Sequence, residues 1–118
     1  MGEIIIKGLE PINKRRVGFY YEEKAIEYLE DKGYDILQKN FYSHHLEIDI
    51  IARDGDYIVF IEVKYRKDDS KGSPLEAITV RKKKNIIKAA KQYIHKNFYG
   101  EDIGIRLILL VYVMRKLY

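Results

Sequence analysis

Two apolar runs in the middle of the chain are each interrupted by charged residues that could bind a cation. Glu47 and Asp49 stand in the first run, and Glu62 and Lys64 stand in the second. Burying an unpaired carboxylate costs several kcal/mol, so these charges need a favourable partner. Carboxylate oxygens are preferred ligands of Mg²⁺, and a nearby lysine can stabilise the charge that develops on a phosphate. These residue types therefore favour metal-assisted hydrolysis of a phosphodiester.

The two runs have the pattern of neighbouring strands joined by a tight turn. Residues 46–53 and 57–65 are rich in β-branched and aromatic side chains, and an Asp-Gly-Asp sequence separates them at residues 54–56. An Asp-Gly pair between two such runs is a strong signal for a β-hairpin with a two-residue loop. We therefore predict an antiparallel hairpin that carries the charged residues.

The alternation of side chains and the length of the turn decide whether these charges meet. In regular strands Glu47, Asp49 and Ile51 share one face, and Glu62 and Lys64 share a face of the neighbouring strand. If Asp54 and Gly55 form the loop, Glu47 lies opposite Glu62 and Asp49 lies diagonal to it. If Gly55 and Asp56 form the loop, Asp49 lies directly opposite Glu62. Both registers cluster the carboxylates, whereas a three-residue turn would separate them unless a bulge restored the alignment.

A less specific interpretation of the same residues stays open. Asp49, Glu62 and Lys64 could form a ladder of salt bridges on a solvated sheet face. Apolar neighbours such as Ile51 count against full solvation of that face. Glu47 could be an ordinary solvated acid near the end of its strand instead of a metal ligand.

Two helices are predicted, one on each side of the hairpin in sequence. Residues 15–32 show apolar positions at spacings of three and four, and Gly33 follows as a typical helix stop. The second helix is predicted over residues 73–96. Ser73, a proline at the next position and Glu76 form the pattern of a capping box at its start.

Two further strands complete the predicted fold. Residues 35–39 precede the hairpin, and residues 103–114 are mostly apolar, as in a strand that is buried on both faces. The helix between the hairpin and this last strand favours a parallel crossover. The order helix, three strands, helix, strand predicts an α/β fold with an αβββαβ core, in which helices flank a mixed sheet.

The first predicted helix carries one acid on its apolar face. Glu22 stands at helical spacing from Ala25, Ile26 and Leu29, so we expect its side chain to point inward. If this helix packs over the hairpin, Glu22 completes the acidic cluster. Alternatively, its carboxylate reaches solvent or pairs with a neighbour on the helix.

Basic residues are concentrated after the hairpin and favour a nucleic-acid-binding surface. Arg66 and Lys67 directly follow the charged strand and are well placed to contact a backbone phosphate. The second predicted helix adds further cations that could grip phosphates, namely Arg81, Lys82, Lys84 and Lys88. The alternative is that these side chains only make the helix surface soluble.

Composition is that of one small cytoplasmic domain. The chain of 118 residues suits a single domain, which we place at residues 15–118, with residues 1–14 as a flexible N-terminal arm that contains a short strand at residues 3–7. The net charge of +4 permits a nucleic-acid partner. The chain has no cysteine, which excludes disulfides and thiolate zinc sites and is typical of the cytosol. We expect no membrane association, since no apolar run reaches the ~20 residues of a span.

The charged hairpin resembles the PD-(D/E)xK signature of restriction-endonuclease-like proteins. More closely, residues 18–113 resemble the YraN-type family of uncharacterised bacterial proteins. The pieces that carry this resemblance, in chain order, are Glu22, Ala25, Tyr28 and Leu29, then Gly33, Tyr34, Ile36 and Leu37, residues 47–52, residues 60–64 with Arg66, and residues 74–77.

The resemblance implies a nuclease core and assigns functions to four residues. Asp49 and Glu62 would be ligands of Mg²⁺ or Mn²⁺, Lys64 the catalytic lysine and Glu22 an accessory acid, while the residue pattern adds Glu47 as a further possible ligand. The implied partner is DNA, and similarity to archaeal Holliday-junction resolvases makes branched DNA one candidate substrate besides single strands. The alternatives are a non-catalytic nucleic-acid-binding module and a plain interaction domain, and a homodimer is compatible with all three.

Three positions depart from the family pattern. Tyr21 and Leu46 stand where the family usually has glycine, and Ile108 stands where its last strand usually carries an aspartate. The first two departures are expected to tighten the space around the acids, and the third removes a polar group.

Overall fold

A computed structural model describes residues 4–7, 14–43, 46–66 and 79–113 of the chain. In these ranges two helices and five strands follow one another, and the predicted α/β fold is confirmed. Their bounds are β1 Ile4–Lys7, α1 Lys14–Asp31, β2 Asp35–Ser43, β3 Leu46–Asp54, β4 Tyr57–Arg66, α2 Val80–Asn97 and β5 Gly104–Val113.

The five strands form one mixed sheet in the order β1-β5-β4-β3-β2. β2, β3 and β4 pair antiparallel, whereas β5 runs parallel to both of its neighbours, β4 and β1. The link from β4 through α2 to β5 is therefore the parallel crossover that the sequence predicts. Side chains from both faces of β5 are buried: Ile108, Leu110 and Tyr112 belong to one apolar cluster, and the alternating residues Leu109, Val111 and Val113 form another.

Each helix covers a different face of the sheet. On the face covered by α1, termed the α1 face, Ala25 and Leu29 pack against Ile50 and Ile61 of the hairpin. On the opposite α2 face, Ala89 and Ala90 pack in one cluster with four buried side chains of the hairpin, which are Ile48, Ile51, Ile58 and Phe60. Neither of the described helices has the length and apolar character that a membrane span requires.

The hairpin adopts the second of the two registers considered above. Asp54 pairs with Tyr57 and Ile50 pairs with Ile61, so Gly55 and Asp56 form the loop. Gly55 has a φ of 60°, which glycine adopts without the steric penalty of a side chain. If this register is extended by one residue, the backbone of Asp49 lies opposite that of Glu62.

The second helix begins later than the capping-box pattern predicts. Thr79 has extended backbone angles (φ −74°, ψ 161°), and its hydroxyl accepts a hydrogen bond from the Lys82 N–H at 3.1 Å. Threonine is a good N-cap residue, so α2 begins at Val80. The predicted start at Ser73 is therefore wrong for this helix, and residues 73–76 themselves lie outside the described residues.

The N-terminal segment contributes a strand to the sheet. The strand expected within residues 3–7 is present as β1, and Ile4 pairs with Leu109 of β5. Lys14 already belongs to α1. Residues 1–3 and 8–13 lie outside the described residues, so a flexible arm over residues 1–14 stays a prediction.

Gly104 provides a direct test of packing at the hairpin end of the sheet. A Cβ atom at this position would lie 2.6 Å from Cε1 of Tyr57, whose ring is 4.6 Å from the Arg106 guanidinium. We expect Gly104→Ala to lower the free energy of unfolding by about 1–3 kcal/mol, because the ring must shift.

Gly18 lies inside α1, and a methyl group at this position would meet no neighbouring heavy atom within 4 Å. Gly18→Ala should therefore raise the free energy of unfolding by about 0.5–1 kcal/mol.

Urea denaturation of the wild type and the two variants measures both effects. Equal stability of Gly104→Ala and the wild type would contradict this account of the Tyr57 ring.

Candidate functional site

Three carboxylates from two elements converge beside the hairpin. Glu22 of α1 and Glu47 and Asp49 of β3 each place one carboxylate oxygen within 4.8 Å of the other two. Oxygen ligands of an octahedral Mg²⁺ at about 2.1 Å lie roughly 3–4 Å apart, so small side-chain rotations suffice to bring these oxygens to ligand spacing. The donors are all hard carboxylate oxygens, which fits Mg²⁺ or Mn²⁺ better than a soft metal.

The alternation of side chains along β3 breaks at Asp49. Ile48 and Ile51 both pack on the α2 face, whereas Ile50 packs on the α1 face. A regular strand would place Ile48 and Ile50 on the same face. Glu47 consequently lies on the side of α1, and the prediction that Glu47, Asp49 and Ile51 share one face is wrong.

The break has a counterpart in the neighbouring strand β2. The pairs Lys39–Ile50 and Phe41–Ile48 flank Asn40, which places Asn40 opposite Asp49. Asn40 has a φ of 51°, a left-handed conformation that asparagine tolerates better than most residues. Both strands therefore reverse their alternation at the same level of the sheet.

Asp49 is held by the backbone of β4. Its Oδ2 accepts a hydrogen bond from the Val63 N–H at 2.7 Å, just beyond the last regular pair of β3 and β4. Burial raises the pKa of Asp49 to about 7, and the negative charges of Glu62, Glu22 and Glu47 act in the same direction, while the hydrogen bond from Val63 lowers the pKa. A bound cation or a proton would relieve this concentration of charge.

Glu62 has different partners from the other three acids. It is only 9% exposed, and its Oε1 lies 3.4 Å from Nζ of Lys82 and 3.6 Å from Nζ of Lys64. Burial and the proximity of Lys82 lower the pKa of Lys64. The structure thus brings Glu62 together with two lysines, and it brings Asp49 together with Glu22 and Glu47.

Asp49 connects these two groups. It lies at the junction between the carboxylates on the α1 side and the Glu62–lysine group on the α2 side. The negative charges of acids in both groups raise its pKa. Burial, and to a smaller extent the negative charge of Glu47, raises the pKa of the Glu22 carboxyl. The Glu22 side chain is half-buried, which is consistent with the predicted inward orientation.

The contact of Lys82 with Glu62 is the part of the site that the sequence analysis missed. Lys82 stands at helical spacing from Ile86, Ala89 and Tyr93, which face the sheet, and this periodicity was the available signal. Its position within a run of basic residues obscured that signal.

Three of the other predicted nucleic-acid-binding residues belong to the part of the chain whose side chains are described. Arg81, Lys84 and Lys88 are exposed on α2. Arg66 is the last residue of β4, but its side chain is not among those described, and Lys67 lies outside the described residues.

At the three positions that depart from the family pattern, the side chains pack in apolar clusters. Tyr21 is 1% exposed; its ring stacks on that of Tyr65 at a centroid distance of 5.0 Å and meets that of Tyr112 at 4.9 Å, with the two ring planes tilted by 34°. Ile108 belongs to the same cluster on the α1 face, and Leu46 packs on the α2 face. Tyr21, the residue before Glu22, therefore belongs to an aromatic cluster of the core, and the expected tightening around the acids stays a prediction.

Comparison with known proteins identifies the family of the chain. The model of the uncharacterised protein family UPF0102 matches residues 21–111, a range that contains all four acids and Lys64. A UPF0102 protein of Carboxydothermus hydrogenoformans is 48% identical over 87 residues, which cover 74% of each chain. A UPF0102 protein of Lachnoclostridium phytofermentans is 42% identical over 100 residues and 85% of each chain. UPF0102 protein CPE1705 of Clostridium perfringens is 48% identical over 95 residues, 80% of this chain and 78% of its own. On these matches the chain belongs to the uncharacterised protein family UPF0102.

Proposed function

We propose that the protein is a cytoplasmic, metal-dependent nuclease-type enzyme that hydrolyses phosphodiester bonds of DNA. The observation that carries this proposal is the position of Asp49 between a carboxylate pair and a buried Glu62 with its lysines. Asp49 thus connects carboxylates that can bind a cation with lysines that can stabilise negative charge. This arrangement suits a reaction in which negative charge develops next to a bound cation.

Glu22, Glu47 and Asp49 would hold the cation, with Glu62 near Asp49 on the other strand of the hairpin. A divalent cation, when bound, supplies Lewis acidity toward the phosphodiester and lowers the pKa of water in the site. The hydrogen bond from Val63 orients Asp49, so one carboxylate oxygen is fixed while the other stays available. Glu22 and Glu47 have longer, more adaptable side chains.

The two lysines would act on the substrate side of the site. Lys64 is 32% exposed and Lys82 is 28% exposed at the side chain, so both side chains are partly accessible to solvent while their Nζ atoms stay close to Glu62. A cation in this position stabilises charge on the phosphate in the transition state. The exposed Arg81, Lys84 and Lys88 of α2 would bind neighbouring phosphates along the strand.

Asp49→Asn tests the proposal directly. The variant keeps the shape of the side chain and an oxygen that can accept the Val63 hydrogen bond, but it removes the charge. We expect Mn²⁺ binding, measured by calorimetry, to weaken at least tenfold, because one anionic ligand is lost. We also expect cleavage of single-stranded, duplex and branched DNA with Mn²⁺ or Mg²⁺ to fall to the level seen with EDTA.

Asp56→Asn is the matched control, because Asp56 is an exposed acid in the hairpin loop. It should bind Mn²⁺ and cleave DNA as the wild type does. Equal cleavage by wild type and Asp49→Asn would refute the proposed site. Salt-sensitive DNA binding without any metal-dependent cleavage would instead favour the non-catalytic binding module.

A further inference from the structure

Tyr42 is a large exposed aromatic residue that contacts the acidic cluster. Its side chain is 72% exposed on β2, and Tyr42 is the cross-strand partner of Glu47 in the pairing of β2 with β3. The negative charge of Glu47 is the main cause of a raised pKa at Tyr42, and Glu22 and Asp49 contribute in the same direction. The ring is therefore held next to the carboxylates that we assign to the cation.

A second exposed ring lies on the α1 side of the same cluster. Phe19 is 67% exposed and precedes Glu22 by three residues on α1, so the two lie on neighbouring positions of the helix surface. The ion pair between Lys39 and Glu23, at 3.4 Å, holds this part of α1 alongside β2. Exposed apolar rings thus stand on two adjacent elements, α1 and β2.

The two rings are exposed, whereas Tyr21, Phe60 and Tyr112 are buried in the core. A flat apolar ring next to a phosphate-binding site fits the face of a nucleobase, because stacking on aromatic side chains accepts any base. Bases within a duplex are already stacked on their neighbours and cannot offer that face.

We propose that Tyr42 is a stacking platform for an unpaired DNA base and that the site prefers single-stranded DNA or the single-stranded parts of branched DNA. The inference rests on the proposed function, since it names the form of the substrate for the same site. Tyr42 would bind the base through its ring, which stands beside Glu47 of the neighbouring strand.

Binding measured without hydrolysis tests the inference. Fluorescence anisotropy would follow a labelled 15-nucleotide oligo(dT) and a blunt 15-base-pair duplex, with Ca²⁺ in place of Mn²⁺. We expect Tyr42→Ala to weaken oligo(dT) binding about tenfold, as for the loss of one stacked base, and duplex binding less than twofold. Tyr42→Phe keeps the ring and should bind oligo(dT) within twofold of the wild type.

Tyr99→Ala is the matched control. Tyr99 is 80% exposed, but it follows α2 and contacts His95 instead of the acids, so its loss should change neither affinity. Three results would overturn the inference: unchanged oligo(dT) binding by Tyr42→Ala, an equal loss on both DNA forms, or an equal loss in Tyr42→Phe and Tyr42→Ala.

The outcome separates this inference from the proposed function. DNA cleavage that depends on Asp49, together with unchanged oligo(dT) affinity in Tyr42→Ala, would overturn the stacking platform and leave the nuclease proposal standing. A selective tenfold loss in a protein that does not cleave DNA would support the platform and overturn the hydrolysis.

Discussion

Lys64→Met should lower the rate constant of DNA cleavage by about 10²- to 10³-fold, the range observed when one group that stabilises transition-state charge is removed. The methionine keeps much of the length of the side chain but loses the ammonium group that lies 3.6 Å from Glu62. Single-turnover cleavage at saturating Mn²⁺ measures the rate. Calorimetry should show Mn²⁺ affinity within about threefold of the wild type, because the variant retains all four carboxylates.

The matched control for Lys64→Met is Lys84→Met. Lys84 is an exposed lysine on α2 that would only bind a neighbouring phosphate. Its loss should weaken DNA binding slightly, with a smaller dependence on salt concentration, and should leave the rate at saturating DNA unchanged. If both variants lost the same small factor, Lys64 would be another contributor to the positive surface and not a catalytic residue.

Asp49→Asn should stabilise the metal-free protein, although we expect it to abolish function. Burial raises the pKa of this carboxyl from its ordinary value of 3.8 to about 7. A shift of this size, reduced for partial exposure of the side chain, corresponds to about 2 kcal/mol of destabilisation when the group is ionised. The free energy of unfolding in EDTA at pH 8 should therefore be about 2 kcal/mol higher for the variant.

The sign of the pH dependence follows from the direction of the shift. With a folded pKa above the unfolded value, folding takes up a proton between about pH 4 and pH 7, so Asp49 lowers stability progressively as the pH rises through this window. The advantage of Asp49→Asn should be small at pH 4.5 and nearly complete at pH 8. Urea denaturation at the two pH values measures the difference.

Mn²⁺ should reverse the order of stability. The wild type gains free energy of unfolding as the metal concentration exceeds its dissociation constant, whereas Asp49→Asn gains little. An Asp49→Asn variant that is less stable than the wild type in EDTA at pH 8 would show that the carboxylate is stabilised by its surroundings in the absence of a cation.

The main elements of the fold could be predicted from local patterns in the sequence. The mostly apolar run of β5 indicated a strand that is buried on both faces, and the helix before it indicated the parallel crossover that the sheet contains. The Asp-Gly-Asp sequence left two hairpin registers open. The pairing of Asp54 with Tyr57 selects one of them, and this choice depends on the packing of both sheet faces, which a turn sequence alone does not determine.

The arrangement of the site was harder to predict, because the period-two argument assumes a regular strand. That argument placed Glu47 on the wrong side, since it could not detect the reversal at Asp49 and Asn40. The reversal depends on pairing between β2 and β3 and has no clear local signature. The inward orientation of Glu22 followed from helical periodicity, whereas the reach of Lys82 to Glu62 became visible only once α2 was docked on its face of the sheet.

The irregular course of β2 has a consequence for how the protein behaves in concentrated solution. β2 forms an outer edge of the described sheet, and a long, flat edge exposes unsatisfied N–H and C=O groups that can recruit a strand from another molecule. The shift in register between Ile36 and Gln38 and the left-handed Asn40 interrupt that row of groups at two points. Lys39 adds a charge between them. Edge-to-edge polymerisation is thereby discouraged by the same distortion that bends Asp49 toward its neighbours.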